Sequence, residues 1–385
     1  MALPAGAFPL RIAGAKILAA GGSPVRLAGV NWGGAQQDEG VLYGLDRIAR
    51  GDLIDRIAGP WRLNHARIPF AVGAIMNPDG TLKTAKAPAA RLAKNTDLAG
   101  LTPWQILQQV IDDMTINRVK AGKDPLYAIL NQHLLWPGWC CSGADANGLH
   151  YNANWPASAF FACWKLIAQR FKDNPYVGYD LHNEWRPARI GGATVTPTWG
   201  TGNPKTDARL CYQQAIDQIR AIDPDCLCFC EGLSYASDLT GWKAHPVGRG
   251  GVVASMHDYS WFHDAGQTQA AYEARMDARG GYLVTEGIAP LWVGEFGWNT
   301  DTPTATMHTG WPPQFLAWAA KRGLHWCWWE LSATAVLGTE PSTNVVKVRP
   351  GQREAFSLAA GQDWGGSQTD VLGMLAPIMP PALPG

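Results

Sequence analysis

Short apolar runs of β-prone residues alternate with longer amphipathic stretches along most of this chain, and that alternation restricts its fold more than any other feature. Eight of the runs are apolar on both faces, which is typical of parallel strands that helices cover on each side. These predicted strands lie at 25–32, 64–70, 127–133, 176–184, 226–232, 251–259, 291–297 and 325–331. Repeated strand–helix alternation predicts an α/β protein with a parallel sheet.

Five stretches between the predicted strands follow the 3.6-residue period of an amphipathic helix. They lie at 102–121, 156–173, 207–223, 267–279 and 312–323. The first should begin with Thr102 as N-cap and Pro103 at the first helical position, with Gln105 completing a capping box.

The number of strands favours a closed (β/α)8 TIM barrel, a fold that tolerates insertions in a chain of 385 residues. A doubly wound open sheet is the alternative, but neither a Gly-x-Gly-x-x-Gly motif nor a phosphate loop follows the first strand. We therefore predict a single catalytic barrel domain over residues 1–385. It should carry a short N-terminal β-hairpin within 1–24 and a C-terminal tail at 372–385.

The charge and hydropathy of the chain argue against some classes of binding partner and against a membrane span. Lys plus Arg and Asp plus Glu both number 32, so the formal net charge is zero, which argues against nucleic acid or an acidic membrane surface. The least charged long stretch, 125–144, is interrupted by Asn131, Gln132 and His133 and does not resemble a membrane span. The N-terminus has no basic residue ahead of its apolar part, so it makes a poor signal peptide.

Tryptophan is unusually abundant, with 19 in the chain. Its flat apolar face suits a flat, partly apolar partner such as a sugar ring, although aromatic residues also dominate protein cores. Tryptophans just past predicted strand ends are better candidates for sugar contact than those on helices, and we expect about half of them to touch substrate. The strand-end group is Trp32, Trp136, Trp139, Trp185, Trp261 and Trp298. Within it we predict substrate contact for Trp32, Trp139, Trp185 and Trp298.

The cysteine spacing does not indicate a metal site. Cys226, Cys228 and Cys230 alternate along one predicted strand, so the outer two would lie ~13 Å apart and cannot share one zinc ion. We interpret them as small buried hydrophobic residues. Cys140 and Cys141 are adjacent in a loop, where a vicinal disulfide is the less favoured state because its geometry is strained.

Polar and aromatic side chains collect at the C-terminal ends of the predicted strands, where (β/α)8 barrels carry their chemistry. Two of them are carboxylates, Glu184 on the fourth strand and Glu295 on the seventh, and barrel closure brings both to one rim. Glycoside hydrolysis needs such a pair. The full set is Asn31, Trp32, Arg67, His133, Asn183, Glu184, His257, Tyr259, Glu295 and Trp329.

The surroundings of the two carboxylates suggest different roles. Arg67 could keep Glu295 ionised, and Tyr259 could donate a further hydrogen bond to it. Fewer cationic side chains are expected near Glu184, so Glu184 would hold its proton. Neighbouring residues on a regular strand face opposite sides. For Asn183 and Glu184 to meet one sugar, the strand must bulge or end before them.

Six short motifs resemble, in order, the strand signatures of glycoside hydrolase family 5, a clan A family of retaining (β/α)8 glycosidases. They are "ARIPF", "LNQH", "HNEW", "HDY", "GEFG" and "WWEL", within a resemblance that spans residues 25–335. "GVNWGG" and "PGWCCS" resemble a cellulase-like branch of that family.

The resemblance implies a role for each matched residue. Glu184 would be the acid/base and Glu295 the nucleophile, while Trp329–Glu330 would be a cis peptide. Asn183 would bind the sugar 2-hydroxyl, and Arg67 and Tyr259 would support the nucleophile. His133 and His257 would line the catalytic subsite, and Trp329 would stack under the sugar.

One departure from the family pattern is Trp185, which stands where the family often has proline after Asn-Glu. A tryptophan there could reshape the leaving-group side and favour capture of the intermediate by a sugar. Glu231, Glu330 and His182 lie close to these motifs, and we interpret them as structural residues.

We therefore predict a retaining β-glycoside hydrolase that acts on a β-linked glucan, similar to an endo-β-glucanase. Transglycosylation and action on small glycosides, glycolipid, mannan or xylan stay open, and a non-catalytic carbohydrate-binding barrel is less favoured because binding needs neither carboxylate. A metal-dependent barrel hydrolase using His133 and His257 would need His-x-His on the first strand. We expect no cofactor and no metal, a monomer, and a secreted or periplasmic location, with the cytoplasm left open.

Overall fold

All eight predicted strands form, and each is parallel to its sequence neighbours in a closed barrel. The eighth strand pairs with the first through Trp326 and Ala28, which closes the ring. The computed structural model describes residues 2–138, 140–142, 144–298, 310–331, 358–360 and 363–380. The predicted (β/α)8 barrel is confirmed. Its strands are β1 Ala28–Asn31, β2 His65–Ala71, β3 Tyr127–Leu134, β4 Val177–Asp180, β5 Cys228–Glu231, β6 Val252–His257, β7 Leu291–Phe296 and β8 His325–Trp328.

Helices connect most of the strands. They are α1 Arg50–Ala58, α2 Val72–Ile75, α3 Pro103–Met114, α4 Ile116–Lys120, α5 Ala157–Phe171, α6 Ala208–Arg220, α7 Gln269–Met276, α8 Tyr282–Thr285, α9 Trp311–Arg322 and α10 Thr369–Leu375. A π-helical turn at Asp277–Gly281 joins α7 to α8. Single 3₁₀ turns lie at Ala5–Ala7, Ala89–Leu92, Thr96–Leu98, Thr240–Trp242, Ser260–Phe262 and Ala376–Ile378.

The predicted capping box begins α3. The Gln105 amide donates to the Thr102 hydroxyl at 3.3 Å, and the Thr102 amide donates to the Gln105 side chain at 2.9 Å. The predicted 102–121 helix is interrupted at Thr115, whose hydroxyl donates to the Ile111 carbonyl at 2.6 Å. The connection from β5 to β6 consists of a turn at Leu233–Ala236 and the 3₁₀ turn at Thr240–Trp242.

The N-terminal segment covers the bottom of the barrel. Arg11–Ala13, Lys16–Leu18 and Pro24–Val25 form a three-stranded antiparallel sheet, one strand more than the predicted hairpin. Ile17 and Val25 from this sheet pack into an apolar cluster with barrel residues. The barrel is therefore capped on the side away from the catalytic rim.

The segment predicted as a tail is packed against the barrel over its described part. Leu375 and Ile378 are buried, and the Trp326 indole donates to the Ile378 carbonyl at 2.7 Å. Two small hairpins, Ala188–Ile190 with Ala193–Val195 and Ala359–Ala360 with Gly366–Ser367, complete the described elements. Among the described helices, none combines the length and the apolar character that a bilayer crossing requires.

Candidate active site

Arg67 on β2 lies fully buried among three carboxylates near the C-terminal end of the barrel. Its guanidinium donates to Asp180 at 2.7 Å, to Glu231 at 3.0 Å and to Glu295 at 2.5 Å. These carboxylates raise the pKa of Arg67, although burial alone would lower it. Breaking such a buried pair typically costs ~3–5 kcal/mol, because one charge is left uncompensated. The network therefore fixes the position of Glu295.

Two asparagine amides are oriented by the same guanidinium. The Oδ1 atoms of Asn31 and Asn183 accept from Arg67 at 2.9 Å and 2.8 Å. The Nδ2 group of Asn31 donates to the carbonyls of Gly294 and Trp328, which belong to neighbouring strands. The Asn31 side chain thereby links β1 to β2, β7 and β8 by hydrogen bonds. The Nδ2 group of Asn183 faces away from Arg67.

Glu184 and Glu295 meet at one imidazole. Nδ1 of His257 lies 2.9 Å from a Glu184 oxygen and 3.6 Å from a Glu295 oxygen. The Tyr259 hydroxyl donates to Glu295 at 3.0 Å. A carboxylate oxygen of Glu184 lies within 4.8 Å of one of Glu295. Retaining glycosidases hold their carboxyl groups about 5–5.5 Å apart and inverting ones about 6.5–9.5 Å apart, so this spacing fits retention.

The end of β4 explains how two consecutive residues reach one rim. The strand stops at Asp180, ahead of Asn183 and Glu184, as expected from the sequence. Glu184 has a φ of 51°, in the left-handed region that a non-glycine residue adopts at a cost of about 1–2 kcal/mol. Its amide donates to Glu231 at 2.6 Å, which holds this conformation in place.

Charges are unevenly distributed around the imidazole. Burial would lower the pKa of His257, but the carboxylates of Glu231 and Glu295 outweigh it and raise that pKa well above its ordinary value. Burial would raise the pKa of Glu231, but the charges of His257 and Arg67 lower it to about 2. His257 is therefore a cation paired with the Glu231 anion at 3.3 Å.

Glu295 experiences opposing effects. Burial raises its pKa above the ordinary value, while the positive charges of His257 and Arg67 lower it and limit the rise. The contact between Arg67 and Glu295 expected from the sequence is present, but the sequence interpretation omitted the contribution of burial.

Sequence reasoning missed one member of the charge network, Asp180, and interpreted another, Glu231, as a structural residue without foreseeing its contacts with Arg67 and His257. Glu231 ends β5 in the way that the other rim residues end their strands, and this position was an available signal. Asp180 sits inside an apolar run, where a buried carboxylate is itself a signal because charges are rarely buried without partners.

Glu184, His257 and Glu295 are close enough together to be considered as metal ligands. Their chemistry does not suit a cation, however. A ligating imidazole must be neutral, whereas His257 has a raised pKa and carries a proton. The Arg67 cation also lies 2.5 Å from Glu295 and would repel a second positive charge. The donor set therefore fits proton and glycosyl transfer better than metal binding.

Trp329 and His133 form one wall of the site. Their rings are stacked at 5.5 Å with an angle of 8° between planes, and Trp329 is partly exposed. Burial and the nearby Arg67 charge keep the pKa of His133 well below its ordinary value, so the imidazole is neutral. Trp329–Glu330 is a cis peptide, as the family resemblance implied.

Three predicted sugar-contacting tryptophans are instead buried in the protein, which corrects that expectation. Trp185 is fully buried, donates to the Tyr212 hydroxyl at 2.7 Å and stacks on His182 at 4.1 Å. Trp32 is also fully buried. Trp298 is only 2% exposed and packs against neighbouring aromatic rings. Sequence position alone could not reveal this, since burial depends on the surrounding loops.

The other members of the strand-end group differ in exposure. Trp136 is 56% exposed and Trp261 is 50% exposed, so both have a face available to a sugar. Trp261 stacks on Tyr259 at 4.3 Å, which places it beside the hydroxyl that contacts Glu295. Trp139 lies outside the described residues.

Cys140 and Cys141 are joined in a disulfide, contrary to the favoured sequence interpretation. Their sulfur atoms lie 3.7 Å and 3.6 Å from Nδ2 of Asn183. The other six cysteines are free and buried, as predicted for Cys226, Cys228 and Cys230.

A closed (β/α)8 barrel with two rim carboxylates at retaining distance defines the class of retaining glycoside hydrolases. A family model agrees with this class. The cellulase model, glycosyl hydrolase family 5, matches residues 18–335, and the chain belongs to this family.

Three individual proteins illustrate the similarity. An endoglucanase of Paenibacillus polymyxa is 30% identical over 341 residues, covering 83% of this chain and 78% of that protein. The major extracellular endoglucanase of Xanthomonas campestris is 31% identical over 215 residues, which are 55% of this chain and 38% of that protein. The hyperthermophilic endocellulase of Pyrococcus horikoshii superposes with a TM-score of 0.77 at 20% identity, covering 98% of this chain and 100% of that one.

Proposed function

We propose that this protein is an endo-β-glucanase that cleaves internal linkages of a β-linked glucan by double displacement. The observation that carries this proposal is the approach of Glu184 and Glu295 to within 4.8 Å at the rim of the barrel. The endoglucanase relatives support β-glucan as the substrate class.

In the first step, Glu295 attacks the anomeric carbon while Glu184 donates a proton to the departing glycosidic oxygen. Arg67 and Tyr259 hold Glu295 in position through hydrogen bonds of 2.5 Å and 3.0 Å. His257 lies between the two carboxyl groups, and its positive charge stabilises the Glu295 anion.

In the second step, water attacks the glycosyl–Glu295 ester while Glu184 accepts a proton from that water. The product keeps the β configuration because the anomeric carbon is inverted twice. Asn183 is assigned to the sugar 2-hydroxyl, since its Nδ2 group faces away from Arg67 and towards the Cys140–Cys141 disulfide at the rim. Trp329 and His133 form the wall against the sugar.

We further propose that the chain acts as one catalytic domain and as a monomer outside the cytoplasm. The extracellular relative from Xanthomonas supports that location. The argument for transglycosylation is weakened because Trp185, which was expected near the acceptor, is fully buried.

The proposal is tested by measuring viscosity and reducing ends together on soluble β-glucan. An endo enzyme lowers viscosity long before many ends appear, and NMR of early products should show the β anomer. A rise in reducing ends without loss of viscosity would contradict endo action, and an α anomer would contradict retention.

The role of Glu184 is tested by Glu184→Gln. We expect a loss of about 10²–10⁴-fold on polysaccharide, because proton donation to a poor leaving group is removed. An aryl glycoside with an acidic phenol should retain most of its first-step rate, since that leaving group needs no proton. Equal losses in both first-step rates would contradict the acid/base assignment. Glu286→Gln, on an exposed residue paired with Lys243, serves as the control and should leave both rates unchanged.

A further inference from the structure

The Cys140–Cys141 disulfide lies against the proposed sugar site and does not act in the mechanism described above. Both residues are partly exposed, and their sulfur atoms approach Nδ2 of Asn183 at 3.7 Å and 3.6 Å. A ring nitrogen of His133 lies within 4.8 Å of both sulfurs. The disulfide therefore lies beside the wall that His133 and Trp329 form.

The amide of Asn183 is held from two sides. Its Oδ1 accepts from Arg67 at 2.8 Å, which fixes which end of the amide faces the sulfurs. Asn183 is itself fully buried, and its Nδ2 group contacts both sulfurs, which are weak acceptors that a substrate hydroxyl can displace.

The loop that carries the disulfide is anchored to the segment after Glu184. Arg186 is fully buried and pairs with Asp145 at 2.7 Å, and the same Asp145 carboxylate accepts from the Ser142 amide at 3.0 Å. Through this anchor the loop keeps its place relative to Asn183. The disulfide removes the remaining freedom of the two side chains.

We propose that the Cys140–Cys141 disulfide is a positioning element for Asn183, and that its reduction weakens the contact of this amide with the substrate 2-hydroxyl. This inference rests on the proposed function of Asn183. The chemical step is ordinary thiol–disulfide exchange. A dithiol reductant attacks one sulfur, forms a mixed disulfide and closes on itself, so two electrons and two protons pass to the cysteine pair as the reductant is oxidised.

The thiol count gives the first test. The six other cysteines are buried, so a thiol reagent applied to the native protein reports the pair alone. We expect no reactive thiol before treatment with dithiothreitol and two afterwards. Two reactive thiols in air-oxidised protein would overturn the proposal.

Activity gives the second test, on two matched substrates. One is an aryl β-cellobioside, and the other is its analogue without the 2-hydroxyl on the reacting sugar. We expect reduction to lower kcat/KM on the first substrate by about tenfold, within the range that small misplacements of an active-site group produce. The value for the deoxy analogue should stay unchanged. Equal losses on both substrates, or no loss on either, would overturn the inference.

Variants separate this inference from the function on which it rests. Asn183→Ala should show the same selective loss, and an equal loss on both substrates would refute the 2-hydroxyl assignment itself. The double variant Cys140→Ala/Cys141→Ala should have the same kcat/KM values on the two substrates as the reduced enzyme, and dithiothreitol should not change them. A change of these values with reductant would count against the proposal. If this variant does not fold, the reductant experiment on the native chain still decides. Absence of β-glucan cleavage by the untreated enzyme would instead refute the proposed function.

Discussion

At the scale of single residues, Glu231 links the two halves of the site. It pairs with Arg67 at 3.0 Å and with His257 at 3.3 Å, and it accepts the Glu184 amide at 2.6 Å. It therefore sets the charge on the imidazole and the conformation of Glu184 at the same time. A residue can act in this way without contacting the substrate.

We predict that Glu231→Gln lowers the pKa of His257, because a carboxylate that stabilises the imidazolium is removed. Loss of one close opposite charge shifts a pKa by about 1–3 units, so the His257 imidazole should lose its proton at a pH that is lower by a similar amount. The measurement is an NMR titration of the His257 ring. Asp217→Asn, in an exposed pair with Arg249, is the control and should leave the titration unchanged. An unmoved His257 titration in folded Glu231→Gln would contradict the role of this charge.

Glu330 is a buried carboxyl next to Trp329. Burial, and then the charge of Glu295, raise its pKa to about 8 from 4.5. The unfolded chain releases this proton near pH 4.5 and the folded chain near pH 8. The free energy of unfolding should therefore fall as pH rises through this window.

We predict that Glu330→Gln removes this fall. The variant should gain stability relative to the native chain between pH 4.5 and 8, by on the order of a few kcal/mol, because each pKa unit corresponds to about 1.4 kcal/mol. Denaturant unfolding at several pH values measures the difference. A difference that stays constant across the window would show that the carboxyl ionises normally.

At the scale of elements, two glycines differ in the space around them. One is needed for close strand packing, and the other has no neighbour that requires glycine. Gly29 in β1 faces β2 so closely that an added Cβ would lie 2.4 Å from the His65 carbonyl oxygen. Gly51 lies inside α1 with nothing within 4 Å of the same position. The first glycine permits two strands to pair, and the second only weakens a helix.

We predict that Gly51→Ala stabilises the protein by about 0.5–1 kcal/mol, because alanine loses less backbone entropy in a helix. Gly29→Ala should destabilise it by more than that, since strand backbone must move. Thermal unfolding of the two variants beside the native chain measures both effects. A stabilising Gly29→Ala would contradict the close approach of β1 and β2.

At the scale of the whole molecule, several histidines are buried as neutral groups. Burial lowers the pKa of His65, His182 and His325 to about 3 from 6.5. The unfolded chain takes up protons at these positions near pH 6.5, but the folded chain does so only near pH 3. Their contribution to stability is therefore present above pH 6.5 and is lost as pH falls towards 3.

We predict that each of these histidines contributes about one proton taken up on unfolding between about pH 6.5 and 3, and thereby lowers the free energy of unfolding as pH falls. The difference in the slope of stability against pH between the native chain and a single-histidine variant gives this number. His182→Gln should reduce the uptake by one proton if it folds, and replacement of the exposed His245 should leave it unchanged. A slope that stays flat down to pH 4 would contradict the burial of these histidines as neutral groups.

The periodic features of the chain were readable without a structure. All eight strands and the capping box of α3 follow from apolar patterning and local hydrogen bonding, which depend on residues close together in sequence. The position of Glu184 and Glu295 at strand ends also follows from this pattern, because parallel strands bring their C-terminal ends to one rim.

Long-range packing was decided only in the folded molecule. The burial of Trp185 and Trp32 and the charges of Glu231 and His257 depend on residues far apart in sequence. Local pattern determines where a strand runs, because its hydrogen-bonding period is written in neighbouring residues. Solvent exposure and pKa depend instead on everything that surrounds a group, and barrel closure alone brings those surroundings together.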